Sequence, residues 1–179
     1  TSGTAPPDSS IASGENYFPA ANDGNLAKTG FTFAGWTTVA NDPASLITDS
    51  LTILQNTTVY ANWTTATYTI TLTTTSGGTV SPSTSSTLNY GENVTYNFAA
   101  ASEKKIQKIL VDGVNVGAVS SYTFSNVDTN HTLGVYFETV TYPVYFNANS
   151  GSGSATVQVY KNSNALDSAP AVTRSGYTF

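Results

Sequence analysis

Thr67-Tyr68-Thr69-Ile70-Thr71-Leu72-Thr73 is the stretch on which the fold turns. Tyr68, Ile70 and Leu72 alternate with four threonines. Successive side chains of an extended strand point to opposite faces, so this spacing gives one apolar face and one hydroxyl face. An amphipathic helix would need apolar residues three and four apart, and the run has none. The pattern recurs in both directions. Val59, Ala61 and Trp63 precede it, while Val94, Tyr96 and Phe98, then Leu133, Val135 and Phe137, follow it.

Between these runs lie turn signals. Asp112-Gly113 separates Ile109-Leu110-Val111 from Val114-Asn115-Val116. A two-residue type I′ hairpin requires positive φ at both central positions, which Asp-Gly supplies. Gly77-Gly78 and Asn89-Tyr90-Gly91 mark further turns. Short helical turns are expected only at 103–109 and within 20–27.

Composition agrees with a sheet protein. Only 9% of the 179 residues are charged, against about 25% in an ordinary globular chain. Hydroxyls take over the polar role, with 30 Thr and 21 Ser. The 11 Tyr and 8 Phe suit a pleated, half-buried surface and argue against disorder. Cysteine is absent, which excludes disulfides and thiolate zinc sites. A net charge of −5 and a pI near 4.5 argue against a nucleic-acid partner. No stretch reaches the roughly 20 apolar residues of a membrane helix, so no membrane insertion is expected in this segment. Low charge, abundant Thr and no oxidisable sulfur fit an extracellular, cell-surface location.

An internal repeat sets the domain organisation. Gly30-Phe31-Thr32-Phe33 returns as Gly176-Tyr177-Thr178-Phe179. A Ser/Gly-rich turn lies upstream of each copy, and two Thr-rich linkers, Thr64-Thr65-Ala66-Thr67 and Thr139-Val140-Thr141, each precede a tyrosine. The chain therefore divides into a first module over 1–64, a second over 67–139 and a third over 142–179.

At these residues the chain resembles a known family. Lys28-Thr29-Gly30-Phe31-Thr32-Phe33-Ala34-Gly35-Trp36, with Thr57-Thr58-Val59-Tyr60-Ala61-Asn62-Trp63 after it, is similar to the internalin-type B-repeat, or Listeria–Bacteroides repeat. Val144-Tyr145-Phe146-Asn147-Ala148-Asn149 and 174–179 resemble its first and central strands. The middle stretch, with Gly77-Gly78-Thr79-Val80-Ser81-Pro82 and Tyr90-Gly91-Glu92-Asn93-Val94-Thr95, resembles a divergent form of the repeat. It departs from the pattern in carrying Lys105-Ile106-Gln107-Lys108-Ile109 where an aromatic Gly-Trp step is usual.

The resemblance implies a mainly β chain of tandem small β-sheet modules, β-grasp-like repeats flanking a β-sandwich-like divergent one. It implies a surface-protein setting, with no catalytic residues and no cofactor.

The chemistry-bearing residues agree with a non-catalytic chain. His131, the only histidine, stands in a turn before the last alternating run, and one His without Cys cannot fill a zinc site. Asp42 and Asp49 flank a loop. Asn22-Asp23-Gly24-Asn25 lacks the alternating ligands and the later bidentate acid of a calcium loop and reads as an Asx turn. Ser150-Gly151-Ser152-Gly153 has no Lys or helix start and reads as a hairpin turn rather than a phosphate loop. Lys28, Lys104, Lys105, Lys108 and Lys161 stand on turns or polar faces, and no isopeptide cross-link is expected.

Four N-glycosylation sequons begin at Asn56, Asn62, Asn93 and Asn130. With 16 Asn and 51 Ser or Thr, chance alone yields about 4.6. They show no enrichment. Phe31, Phe33, Trp36 and Trp63 are expected as core, because a small module needs large side chains to bury enough area; a sugar- or protein-binding surface built on Trp36 and Trp63 is the alternative for those two.

These readings lead to a non-catalytic structural repeat segment of a secreted surface protein, a stalk, spacer, fibre or adhesin element. Its expected partners are neighbouring repeats or copies of the same protein. A ligand-binding module for host protein or glycan is the alternative. The first module lacks an opening strand and the third lacks a closing one, so the chain is expected to be one window on a longer array, or its tail to complete the head of a neighbouring copy by strand addition.

Overall fold

The computed structural model describes residues 1–19, 21–145 and 156–160, together with 173, 175, 176 and 178. The chain is nearly all β. Residues 1–66 carry β1 (Asn16–Tyr17), β2 (Phe31–Thr37), β3 (Leu51–Thr52) and β4 (Tyr60–Thr65). Residues 67–139 carry β5 (Thr67–Thr74), β6 (Gly78–Ser81), β7 (Ser86–Asn89), β8 (Val94–Ala100), β9 (Lys104–Val111), β10 (Val114–Gly117), β11 (Ser121–Phe124) and β12 (His131–Thr139). β13 (Thr141–Tyr145) and β14 (Thr156–Tyr160) follow. The only helical element among the described residues is a 3-10 turn, Pro43–Ser45, capped by the Asp42 carboxylate on Ala44 N.

By contacts the chain forms two compact units. The first is Thr1–Thr69 with Thr87–Val94 and Phe124–Asn130. The second is Ile70–Ser86, Thr95–Thr123 and His131–Phe179.

In the first unit β2 pairs antiparallel with β4, and Phe33 faces Trp63. The register then slips: Gly35, not Ala34, pairs with Asn62. This β-bulge adds one residue to β2, with Gly35 at φ 112°. Phe33 and Trp36 are three apart and would lie on opposite faces of a regular strand. The bulge brings them together, with ring centroids 5.4 Å apart and an edge-to-face angle of 71°. Trp63 meets Phe33 from the partner strand at 5.6 Å and 80°.

A single residue, Ala66, separates β4 from β5. Its N–H donates to Gly30 O and its carbonyl accepts from Tyr90 N. Gly30 has φ +75°, and a Cβ there would stand 2.4 Å from the Tyr90 ring, so both backbone and space require glycine.

Strands β5 to β12 form two sheets. One has the order β10-β9-β12-β5-β7, the other β11-β8-β6. β12, in the centre of the larger sheet, runs antiparallel to β9 and parallel to β5. The alternating runs supply the core: Ile70, Val80, Tyr96, Phe98, Ile109, Val111, Leu133, Val135 and Phe137 are all buried. Phe137 of the larger sheet lies over Gly77 and Gly78, at the start of β6 in the smaller one, so the two sheets face each other as a sandwich. Tyr96, fully buried, places its hydroxyl on Ser86 Oγ at 2.8 Å.

The Asp112-Gly113 turn is the expected hairpin, with φ 50° and 79°. The helical turn expected over 103–109 is instead part of β9. Here too a bulge explains the misreading. Phe137 pairs with Ile106 and Tyr136 with Lys108, which leaves Gln107 extra. The apolar spacing of three between Ile106 and Ile109 imitates a helix but belongs to a bulged strand. The 20–27 stretch is likewise a turn among its described residues.

β13 and β14 pair antiparallel, with Tyr142 opposite Val159. Tyr177 and Phe179 of the second repeat copy, and the Ser150-Gly151-Ser152-Gly153 turn, lie outside the described residues.

Candidate functional site

The first unit carries an open cleft of about 650 Å³. Its floor follows from the strands just described. β1 and β3 pair Tyr17 with Leu51, and Thr52 donates to the Asn16 side chain at 2.8 Å across the same ladder. Trp36, turned by the Ala34 bulge, contributes a half-buried indole. The walls come from 5–13 and from 53–59. Among the described residues of the lining Asp8 alone is charged, while seven side chains of Ser, Thr, Asn or Gln end in a hydroxyl or amide.

The residues expected as core divide. Phe33 stands between Trp36 and Trp63, and all three are half-buried. Trp36 lines the cleft; Trp63 does not. Phe31 is 38% exposed, with the Lys28 ammonium 3.9 Å from its ring centroid. An edge position on β2 and a cation over its face leave Phe31 at the surface rather than in the core.

The four sequon asparagines have different settings. Asn56 is exposed on the cleft wall. Asn62 is half-buried on β4, opposite Gly35. Asn93 accepts from Asn126 N at 2.6 Å and Asn130 from Thr69 N at 2.8 Å, so both side chains brace backbone turns. The Asn22 loop closes on itself in the same way: its amide donates to Leu26 O and accepts from Leu26 N. That is the Asx chemistry its sequence suggests.

His131 opens β12 and places Nδ1 2.7 Å from Asp112 Oδ2. Thr132 N donates to Asp112 Oδ1 at 2.8 Å. The carboxylate thus ties the hairpin to the neighbouring strand. Desolvation, the largest single influence, pushes the Asp112 carboxyl up. The hydrogen bonds from His131 and Thr132 and the nearby imidazole together outweigh it and hold the carboxyl below its usual 3.8. A carboxyl depressed in the folded state stabilises above the unfolded value and ceases to do so as pH falls through the folded one. Wild type is therefore expected to exceed Asp112→Asn in melting temperature near pH 5, and to lose that lead by about pH 2. Asp112 is 47% exposed, which keeps the difference small. A lead that persists unchanged at pH 2 refutes the carboxylate brace.

The described lysines are engaged with groups other than Asn or Asp side chains. Lys104 donates to Thr139 Oγ1 at 2.7 Å, Lys105 pairs with Glu138 at 3.0 Å, and Lys108 lies 5.0 Å from the Tyr136 ring centroid. Lys161 lies outside the described residues. Among the described residues no three of His, Asp or Glu gather as a metal site, and no helix is long and apolar enough to cross a membrane.

Small separate sheets joined strand to strand define a class: an all-β modular repeat protein. The model of the Listeria-Bacteroides repeat domain matches residues 2–62 and 142–179, more than half of the chain, and the chain belongs to that family. The family is associated with repeats of surface proteins. No curated protein and no solved structure matches the chain.

Tyr17 and the cleft walls escaped the sequence reading. β1 and β3 are two residues each, too short to show alternation, and nothing local in 5–13 marks it as a wall.

Proposed function

We propose that this chain is a non-catalytic structural segment of a secreted cell-surface protein, a spacer or stalk element. The observation that carries the reading is the pair of module junctions. One residue, Ala66, joins β4 to β5, and one residue, Val140, joins β12 to β13. Each is held by backbone hydrogen bonds, Ala66 N to Gly30 O and Val140 N to Glu103 O. Repeat arrays gain length by adding units whose cores stay separate, and short links between successive strands suit such an array. Small-angle scattering of the full chain tests it. A compact 179-residue globule has a radius of gyration of about 16 Å. A spacer is expected well above that value, and a result near it refutes the reading.

The edges of the first module favour head-to-tail assembly with copies of the same protein. β2 and β4 form a sheet of only two named strands, and isolated two-stranded ribbons are marginal in water. A strand from a neighbouring copy would complete it. Sedimentation over a concentration series is expected to show open-ended growth. A single species at every concentration rules out assembly and leaves the spacer reading in place.

A further inference from the structure

We propose that the cleft of the first unit binds a neutral oligosaccharide, stacked on Tyr17 and Trp36. The volume, about 650 Å³, falls within the roughly 300–1,000 Å³ of ligand sites. The lining selects the chemistry. Among the described lining residues an anion would meet no cation, only Asp8, in a chain whose net charge is −5. A purely apolar ligand would strip water from the hydroxyl and amide groups without replacing their hydrogen bonds, which is costly.

A sugar answers both demands. Its C–H faces carry partial positive charge and suit the negative faces of aromatic rings. Its hydroxyls both donate and accept, matching Asn56 and Thr58, while Asp8 accepts from them. Proline-rich peptides also dock on aromatic grooves. The lining favours a sugar because its hydroxyl and amide side chains outnumber its two aromatic rings, and a proline-rich ligand has few donors to offer them. Of the two tryptophans that rest on Phe33, Trp36 lines the cleft and Trp63 does not, so the two can be tested separately. This inference adds a binding site to a spacer and does not depend on the spacer reading.

The test titrates the full chain with cello-, chito-, manno-, xylo- and laminari-hexaose and follows tryptophan emission. At least one is expected to saturate, with Kd in the micromolar to millimolar range. Tyr17→Ala and Trp36→Phe should each weaken it by about tenfold or more, while Trp63→Phe leaves affinity unchanged. Asn56→Ala, on an exposed loop, gives the same readout should Tyr17→Ala fail to fold, with an expected loss of about fivefold. Failure of all five sugars to bind at about 10 mM overturns the proposal. So does binding that ignores Tyr17, Trp36 and Asn56, or saturation by a poly-Pro peptide where no sugar binds.

Discussion

Replacing Phe137 with Ala is expected to cost about 3–5 kcal/mol and to unfold much of the middle sandwich at moderate temperature. The ring is 8% exposed and spans the gap between the sheets, over Gly77 and Gly78. A domain of this size holds only about 5–15 kcal/mol in total, so a loss on that scale lowers the melting temperature by on the order of 20 °C. The contact can be isolated by a second substitution. A Cβ on Gly78 would stand 2.3 Å from Phe137 Cε1 and 2.4 Å from Cζ, but also 2.6 Å from Ala99 O. Gly78→Ala alone should therefore destabilise strongly. Combined with Phe137→Ala it should cost clearly less than the sum, because the ring it collides with is gone, while the clash with the carbonyl keeps rescue partial. Calorimetry on the two singles and the double measures this coupling. Strict additivity would mean that the ring does not lie on Gly78.

What the sequence made legible follows from how local each signal is. β5, β8 and β12 are regular, and their period-2 runs give both the strands and the buried face: Ile70, Tyr96, Phe98, Leu133, Val135 and Phe137. The Asp112-Gly113 turn is a two-residue signal and came out as expected. Bulges are different. An extra residue shifts the phase of alternation, and nothing in the run itself says whether a spacing of three is a bulge or a helix. The 103–109 stretch read as a helical turn for this reason, though Lys104–Val111 is a strand. The parallel pairing of β5 with β12 joins segments about 60 residues apart, a choice fixed by the whole sandwich and by no motif in either strand. The cleft was hidden for a related cause. Tyr17, Trp36 and Asn56 come from separate stretches, and only the fold brings them to one surface.

Phe33→Ala should be nearly as damaging to the first module as Phe137→Ala is to the second, by a different route. Phe33 is half-buried, so lost burial is moderate. It is, however, the ring on which both indoles rest, at 5.4 and 5.6 Å. Each edge-to-face pair contributes about 0.5–1.5 kcal/mol beyond area, and with the burial term the loss comes to about 3 kcal/mol. Phe31→Ala, two residues earlier on a 38% exposed ring, should cost less than about 1 kcal/mol. The chain has only two tryptophans and both touch Phe33, so near-ultraviolet dichroism of the indoles reports on this cluster alone. The signal should collapse in Phe33→Ala and survive in Phe31→Ala. Deleting Ala34 sharpens the comparison. It removes no aromatic ring and no charge, and it abolishes the bulge: Phe33 and Trp36 then stand two apart on one face of a regular strand, with Trp36 still opposite Ala61. Both Phe33–indole contacts should therefore persist, giving a dichroism signal close to that of wild type and of Phe31→Ala. A signal that collapses as in Phe33→Ala would mean that Ala34 is not the extra residue on β2.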